Sequence, residues 1–328
     1  MKKSVLLTVC AITLVACVLS FTACNATSQY FVFGTSLEID TYGVGGGDYA
    51  DSVVEYMQSV ELAVSAVLEG SDIRRINDAS AGESVKCSDV TMELLAAAQR
   101  VYELTDGAYD PSVYPLVELW GFSPDKFVAG KVPEKLPTDD EISAVLGKVG
   151  FADCFEVDYE TATVTKLRDG AELDLGGIAK GFAVSRAVSM ADGKKALVNL
   201  GGNIGAANGT FKIGVASPRE YSKSYIGIVP LSSGYTMATS GDYEKYYIVD
   251  GVRYHHIIDP FTGRPAASDL ISVTVVTSDG ALGDALATAI MVAGEEKGLQ
   301  WAQEAGVGLV LVREDTSVST YNVEYTPS

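Results

Sequence analysis

The chain has 328 residues, of which 47% are hydrophobic, with two histidines, five cysteines and a formal net charge of −19. So acidic a balance argues against nucleic acid or anionic lipid headgroups as electrostatic partners, and it obliges any polyanionic ligand to bring or meet cations. The length suffices for a large core, in one big domain or two intimately joined ones.

At the start, Lys2 and Lys3 precede an apolar run from Val5 to Leu19, and Phe21-Thr22-Ala23-Cys24 follows. This is the order of a secretory signal, and the run is too short for a convincing spanning helix. The cysteine at the cleavage point resembles a bacterial lipobox. The expected organisation is therefore a signal peptide over 1–23, a lipidated Cys24 opening a short tether over 24–30, and one domain over 31–328. The protein is then extracytoplasmic and lipid-anchored to the bacterial cell membrane; an ordinary signal with Cys24 incidental is the alternative. Cys10 and Cys17 leave with the signal. Cys87 and Cys154 are too few for a disulfide framework or a thiolate metal site, and either a pair or two free thiols fits.

Next, Phe31 to Tyr42 alternates as a strand, with the glycine-rich stretch 43–47 as a flexible connection after it. Val53, Met57, Val60, Val64 and Val67 recur at helical spacing until Gly70. A second helix spans Ser88 to Leu104, and a third starts at Thr138-Asp-Asp-Glu141, which has capping-box spacing. The C-terminal half places strands at 195–200, 211–216, 225–231, 244–249, 253–258 and 270–277, with helices at 177–191, 279–293 and 296–305. Strands in sequence with interspersed helices make the fold class α+β.

Four stretches carry chemistry-bearing residues. In 172-ELDLGGIAKGFAV-184 a strand ending at Asp174 runs through Gly176-Gly177 into a helix, and Lys180 adds a cation in the first turn, a favourable place for phosphate; a tight turn with a surface lysine fits as well. The glycines of 197-LVNLGGNIGAANG-209 suit a strand followed by a β-turn better than a phosphate loop. In 278-SDGALGDALATAIMVAG-294, capped by Ser278, Asp284 and Thr288 stand four apart on one helix face and offer oxygen ligands to a hard cation such as Mg²⁺. A solvated aspartate and a threonine bonded to its own backbone is the plainer reading. The fourth stretch, 252-VRYHHIIDPFTGRP-265, holds both histidines. Strand neighbours point to opposite faces, so His255 and His256 cannot share one ion, and a zinc site is improbable. Either one is a general base or both are structural.

Together and in order, Gly34-Thr35, SDIRRIN (71–77), GAYDP (107–111) with Trp120-Gly-Phe, DLGGIAKG, LVNLGGN, ATSGDY (238–243), HIIDPFTG and DALATA resemble the ApbE-type FAD:protein FMN transferases. The resemblance covers essentially all of the mature chain. It implies a T-fold-like α+β unit that binds FAD as substrate and Mg²⁺ as cofactor, and moves FMN to a Thr or Ser hydroxyl with release of AMP. By motif match the Mg²⁺ ligands are Asp284, Thr288 and the carbonyl of Gly177. FAD contacts fall on Phe33, Ala108, Tyr109, Asp110, Asp174, Lys180, His256 and Ile257, and His256 is the base. Phe33 stands where the family usually has Met, and Val67 where an aromatic residue is usual. Implied acceptors are FMN-binding-domain proteins, such as subunits of Rnf-type or sodium-pumping NADH:quinone oxidoreductases. FAD pyrophosphatase activity and a non-catalytic flavin-binding lipoprotein are the competing readings.

Overall fold

The alternation across Phe31–Tyr42 is interrupted by a reversal of direction. Strands Asn25–Val32 and Thr35–Tyr42 form an antiparallel hairpin with Val32 opposite Thr35. The two loop residues, Phe33 (φ 54°) and Gly34 (φ 67°), both lie in the left-handed region, as a primed two-residue turn requires. A computed structural model describes residues 25–219 and 224–328. The signal peptide and Cys24 lie outside the described residues, but from Asn25 onward the expected tether is an edge strand.

That hairpin begins an eight-stranded sheet, ordered Asn25–Val32, Thr35–Tyr42, Lys195–Leu200, Asn203–Ala207, Thr236–Gly241, Leu270–Thr277, Gly308–Arg313 and Val318–Tyr321. Every pairing in it is antiparallel. Leu270–Thr277 is buried almost throughout, which needs cover on both faces. Helices Gly46–Val64, Asp89–Leu104, Ala179–Ser189 and Gly280–Ala293 cover one face through Val53, Met57, Leu94, Val184, Leu286 and Ile290. A three-stranded sheet, Phe211–Ala216 with Tyr225–Leu231 and Thr326–Pro327, covers the other around Val229, Leu231, Met237 and Val310. The expected C-terminal helices and the strands at 195–200, 211–216, 225–231 and 270–277 are present, but the expectation lacked strands Asn203–Ala207, Thr236–Gly241, Gly308–Arg313 and Val318–Tyr321, and the strand expected over 253–258 stops at His255. Helix Gly280–Ala293 is capped by Asp279, whose carboxylate accepts from Leu282 N–H, rather than by Ser278.

Two features of the packing position the site. Helices Ala179–Ser189 and Gly280–Ala293 cross with their backbones in contact. A Cβ on Gly181 would fall 2.0 Å from Gly280 O, and one on Gly280 would fall 2.2 Å from Gly181 O. The segment 256–265 leans on an aromatic stack in which Trp120 lies on Tyr254, Tyr254 on Tyr247 and Tyr247 on Phe122, with Trp120 Nε1–H donating to Gly263 O at 2.8 Å. Among the described residues no helix is long and apolar enough to cross a membrane.

Candidate active site

The helix crossing brings Asp284 to the first turn of the other helix. Its Oδ2 accepts from Gly181 N–H at 2.9 Å and its Oδ1 from Asn203 Nδ2 at 3.2 Å. Asp284 is only 4% exposed, which overturns the reading of it as a solvated helix-start acid. None of the ion pairs of the described residues involves it. A buried carboxylate without a counter-charge is costly, and a bound cation would relieve that cost.

Thr288 Oγ1 lies one turn along, 3.3 Å from Ser240 Oγ and 3.4 Å from Asp284 O, the second contact being the backbone bond of the plainer reading. Gly177 comes up beside it, so that a Cβ there would stand 3.6 Å from Thr288 Oγ1 and 3.5 Å from the Tyr109 ring. The structure thus gathers Asp284 and Thr288 of one helix with Gly177 and Tyr109 from two other segments. The described residues contain no cluster of three or more His, Cys, Asp or Glu able to hold a metal. A cation here would meet one carboxylate and neutral oxygens, a set suited to Mg²⁺, which keeps waters and takes substrate phosphate oxygens. The residues present therefore fit the ion.

The two histidines part company. The strand Val252–His255 ends at the first of them, so His256 lies beyond the strand rather than within it. His255 is buried with both ring nitrogens occupied: Nε2 is 2.9 Å from Ala266 O, and Nδ1 accepts from Ile257 N–H at 3.3 Å. That pattern fixes the Nε2–H tautomer and makes His255 a structural clamp. His256 keeps its chain in place by donating its N–H to Lys245 O at 3.0 Å, while its Nδ1 is sealed from solvent with no partner. Burial, then the charges of Lys245, His255 and Lys180, pull its pKa down to about 3, so the ring is neutral at pH 7.

Lys180 Nζ donates to Gly176 O at 3.0 Å, which leaves donors for a ligand. Lys245 was not singled out from the sequence. It is solvent-accessible on one side, yet burial of the rest and the charge of Lys180 pull its pKa down, with Asp174 and Glu244 opposing. Two lysines therefore lie near enough to His256 for their charges to act on it. Asp174 Oδ1 accepts from Gly176 N–H at 2.7 Å, shaping the turn into the glycines.

The remaining expected contacts are placed less uniformly. Ala108 and Tyr109 are buried, and the Tyr109 hydroxyl is enclosed without a partner. Its pKa is raised well above the ordinary value by burial and then by Asp174, Asp284 and Asp110, so it stays protonated. Asp110 is bound inward: Oδ1 accepts from Ser112 N–H (2.8 Å) and Ser112 Oγ (2.6 Å), and Oδ2 faces Phe151 N–H at 3.3 Å. Ile257 is buried behind His256. Phe33, at the hairpin tip, packs against the two cores that flank the helix crossing. The tip adjoins the turn before Asn203, since a Cβ on Gly201 would strike the Thr35 side chain at 2.6 Å. Sequence reasoning missed Asn203, Ser240 and Lys245, although LVNLGGN contains the first, ATSGDY the second, and the third lies two residues past it.

The chain is similar to known proteins over most of its length. The profile described as "ApbE family" matches residues 33–311. A FAD:protein FMN transferase of Vibrio cholerae is 33% identical over 81% of this chain and 79% of its own length. One from Rhodobacter capsulatus is 31% identical over 92% of this chain, which spans 58% of that relative's length. Among solved structures, the ApbE protein of Thermotoga maritima superposes with a TM-score of 0.81 at 34% identity, covering 90% of this chain and 96% of that one. The flavin transferase ApbE of Vibrio cholerae superposes with a TM-score of 0.80 at 30% identity, covering 91% and 97%.

Proposed function

Given that the chain belongs to the ApbE family, we propose that it transfers FMN from FAD to a Thr or Ser hydroxyl of an acceptor protein and releases AMP. The observation that carries this reading is the inequality of the two histidines. One is hydrogen-bonded through both ring nitrogens, while the other holds an unpartnered, neutral ring nitrogen beside two lysines.

In the proposed reaction the acceptor hydroxyl oxygen forms a bond to the FMN phosphorus, and the phosphoanhydride bond to the AMP phosphate breaks. The hydroxyl proton passes to His256, and AMP leaves. A base of low pKa is a weak one; burial is the largest cause of the depression at His256, and the lysines that add to it are those a pyrophosphate would neutralise. Substrate binding opposite Lys180 and Lys245 would therefore raise the basicity of His256 when a proton must be taken. Asp284, Thr288 and the carbonyl of Gly177 would hold Mg²⁺, which when bound supplies Lewis-acid neutralisation of pyrophosphate charge. Phe33, Ala108, Tyr109, Asp174 and Ile257 would line the FAD site. Asp110 would contribute by fixing the Ala108–Tyr109 backbone. The enclosed Tyr109 hydroxyl supports a polar ligand atom arriving there.

Secretion, lipidation at Cys24 and a place on the outer face of the cell membrane belong to the same proposal, as do FMN-binding-domain acceptors of Rnf-type or sodium-pumping complexes. The test combines the domain from Asn25 with FAD, Mg²⁺ and such an acceptor domain, and follows acceptor mass and AMP. A covalent FMN adduct with equimolar AMP is expected. FMN and AMP without adduct would select the pyrophosphatase reading, and bound FAD with no AMP the non-catalytic one.

A further inference from the structure

Asn77 lies in the last turn of the short helix Asp72–Asp78, far in sequence from the residues gathered at Asp284. Its amide addresses both backbone groups of a single residue. Asn77 Oδ1 accepts from Leu173 N–H at 2.7 Å and Asn77 Nδ2 donates to Leu173 O at 2.9 Å, across 96 residues. This is the pattern by which a neighbouring strand would pair with residue 173, supplied here by one side chain. The opposite edge of the same segment is held by main chain: Asp174 N–H donates to Pro111 O at 2.7 Å, and Glu172 bridges Val113. Asn77 is itself braced, because Lys166, 2% exposed, donates Nζ–H to Asn77 O at 2.7 Å. The segment so gripped leads directly into Asp174, Gly176 and Gly177.

From this geometry we infer that Asn77 is a positioning residue for the cation site: its clamp on Leu173 sets where the Gly177 carbonyl stands relative to Thr288 and Asp284. The inference rests on the metal assignment proposed above. A backbone carbonyl has no side-chain torsion with which to search for an ion, so its placement depends wholly on how the preceding chain is held. Gly177, with no side chain to wedge it, sits in a gap bounded by Tyr109 and Thr288 and gains its fixity from upstream. A ligand left to wander weakens an ion site even when every donor is retained.

The experiment measures Mn²⁺ binding by electron paramagnetic resonance of the free ion, with ADP present as a pyrophosphate probe, alongside thermal unfolding. Asn77→Ala removes both bonds and is expected to weaken Mn²⁺ binding at least tenfold. Asn77→Asp keeps an acceptor for Leu173 N–H but loses the donor to Leu173 O, and should fall between Ala and wild type. Ile76→Val, a trim of a fully buried neighbour in the same helix, lowers stability while leaving both Asn77 bonds to Leu173 in place, and should leave Mn²⁺ affinity unchanged. Hydrogen exchange of the metal-free protein should show lost protection over 173–177 in Asn77→Ala. Unchanged Mn²⁺ affinity in Asn77→Ala, or an equal loss in Ile76→Val, would overturn the inference alone. Wild-type protein that binds no Mn²⁺ would overturn the metal assignment and the inference together.

Discussion

The neutral state of His256 has a cost that can be read without any substrate. In the unfolded chain its pKa returns to 6.5, while in the folded chain burial and the neighbouring cations hold it near 3. Between those values the unfolded state binds the extra proton, so stability contributed by neutral His256 is complete above pH 6.5 and is lost as pH falls toward 3. One pH unit inside that window corresponds to about 1.4 kcal/mol, so lowering pH from 6.5 to 5 costs about 2 kcal/mol from this residue alone. His256→Gln removes the titration while keeping polarity and approximate size. Urea unfolding followed by the fluorescence of Trp120 and Trp301 at pH 7 and pH 5 yields two stability losses, one per protein. The wild type should lose about 2 kcal/mol more than His256→Gln. His255, which burial also pulls down, and Asp110, Glu172 and Glu244, which burial pushes up, act in both proteins and cancel in the difference. Parallel losses would refute the claim that His256 is held neutral by its surroundings.

Other outcomes follow from the same geometry. His256→Ala should fold, retain FAD and lose about 10²- to 10⁴-fold in transfer rate, the range of a general base, as measured by AMP release. His255→Ala should instead lose about 2–3 kcal/mol of stability, because Ile257 N–H and Ala266 C=O are left unpaired, while the folded fraction keeps most of its activity. Gly181→Ala demands that Gly280 O retreat by about 1.4 Å to reach ordinary contact, and overpacking of about 1–3 kcal/mol should outweigh a helix-propensity gain of about 1 kcal/mol; a melting temperature at or above wild type would contradict the backbone contact. Lys245→Met should raise the KM for FAD about tenfold, the equivalent of one charge-assisted hydrogen bond, and should shrink the His256 contribution to the pH dependence of stability.

Much of the fold was legible because it is local. Apolar spacing located the core of helix Gly46–Val64, the Thr138–Glu141 capping box is present as spaced, and strands Lys195–Leu200, Phe211–Ala216 and Leu270–Thr277 run where their composition places them. The turn at Phe33-Gly34 was hidden because a phenylalanine at positive φ is a poor turn signal, and its neighbours alternate as if one strand continued. The site was legible only in parts. Asp284 and Thr288 share a helix face by periodicity, but the Asn203 bond to Asp284 spans 81 residues and the Asn77 clamp 96, distances over which spacing carries no information. The orientation of Asp110 was not legible either: an aspartate two residues before a serine readily turns its carboxylate onto its own chain, and here it does so. Lys245 reads as an ordinary surface lysine until the bend after His255 folds back upon it.

The first strand runs along one edge of the sheet. Asn25, the residue after Cys24, is paired with Tyr42, and eight residues later Val32 delivers Phe33 and the turn beside Gly201. At about 3.3 Å per residue the strand measures about 26 Å. With acyl chains on Cys24, as proposed, no slack would separate lipid from sheet, and the strand would act as a rigid stand-off fixing the working height of the cleft. An acceptor would then have to present its hydroxyl at that elevation above the bilayer, so membrane geometry as well as local sequence would decide which proteins are flavinylated.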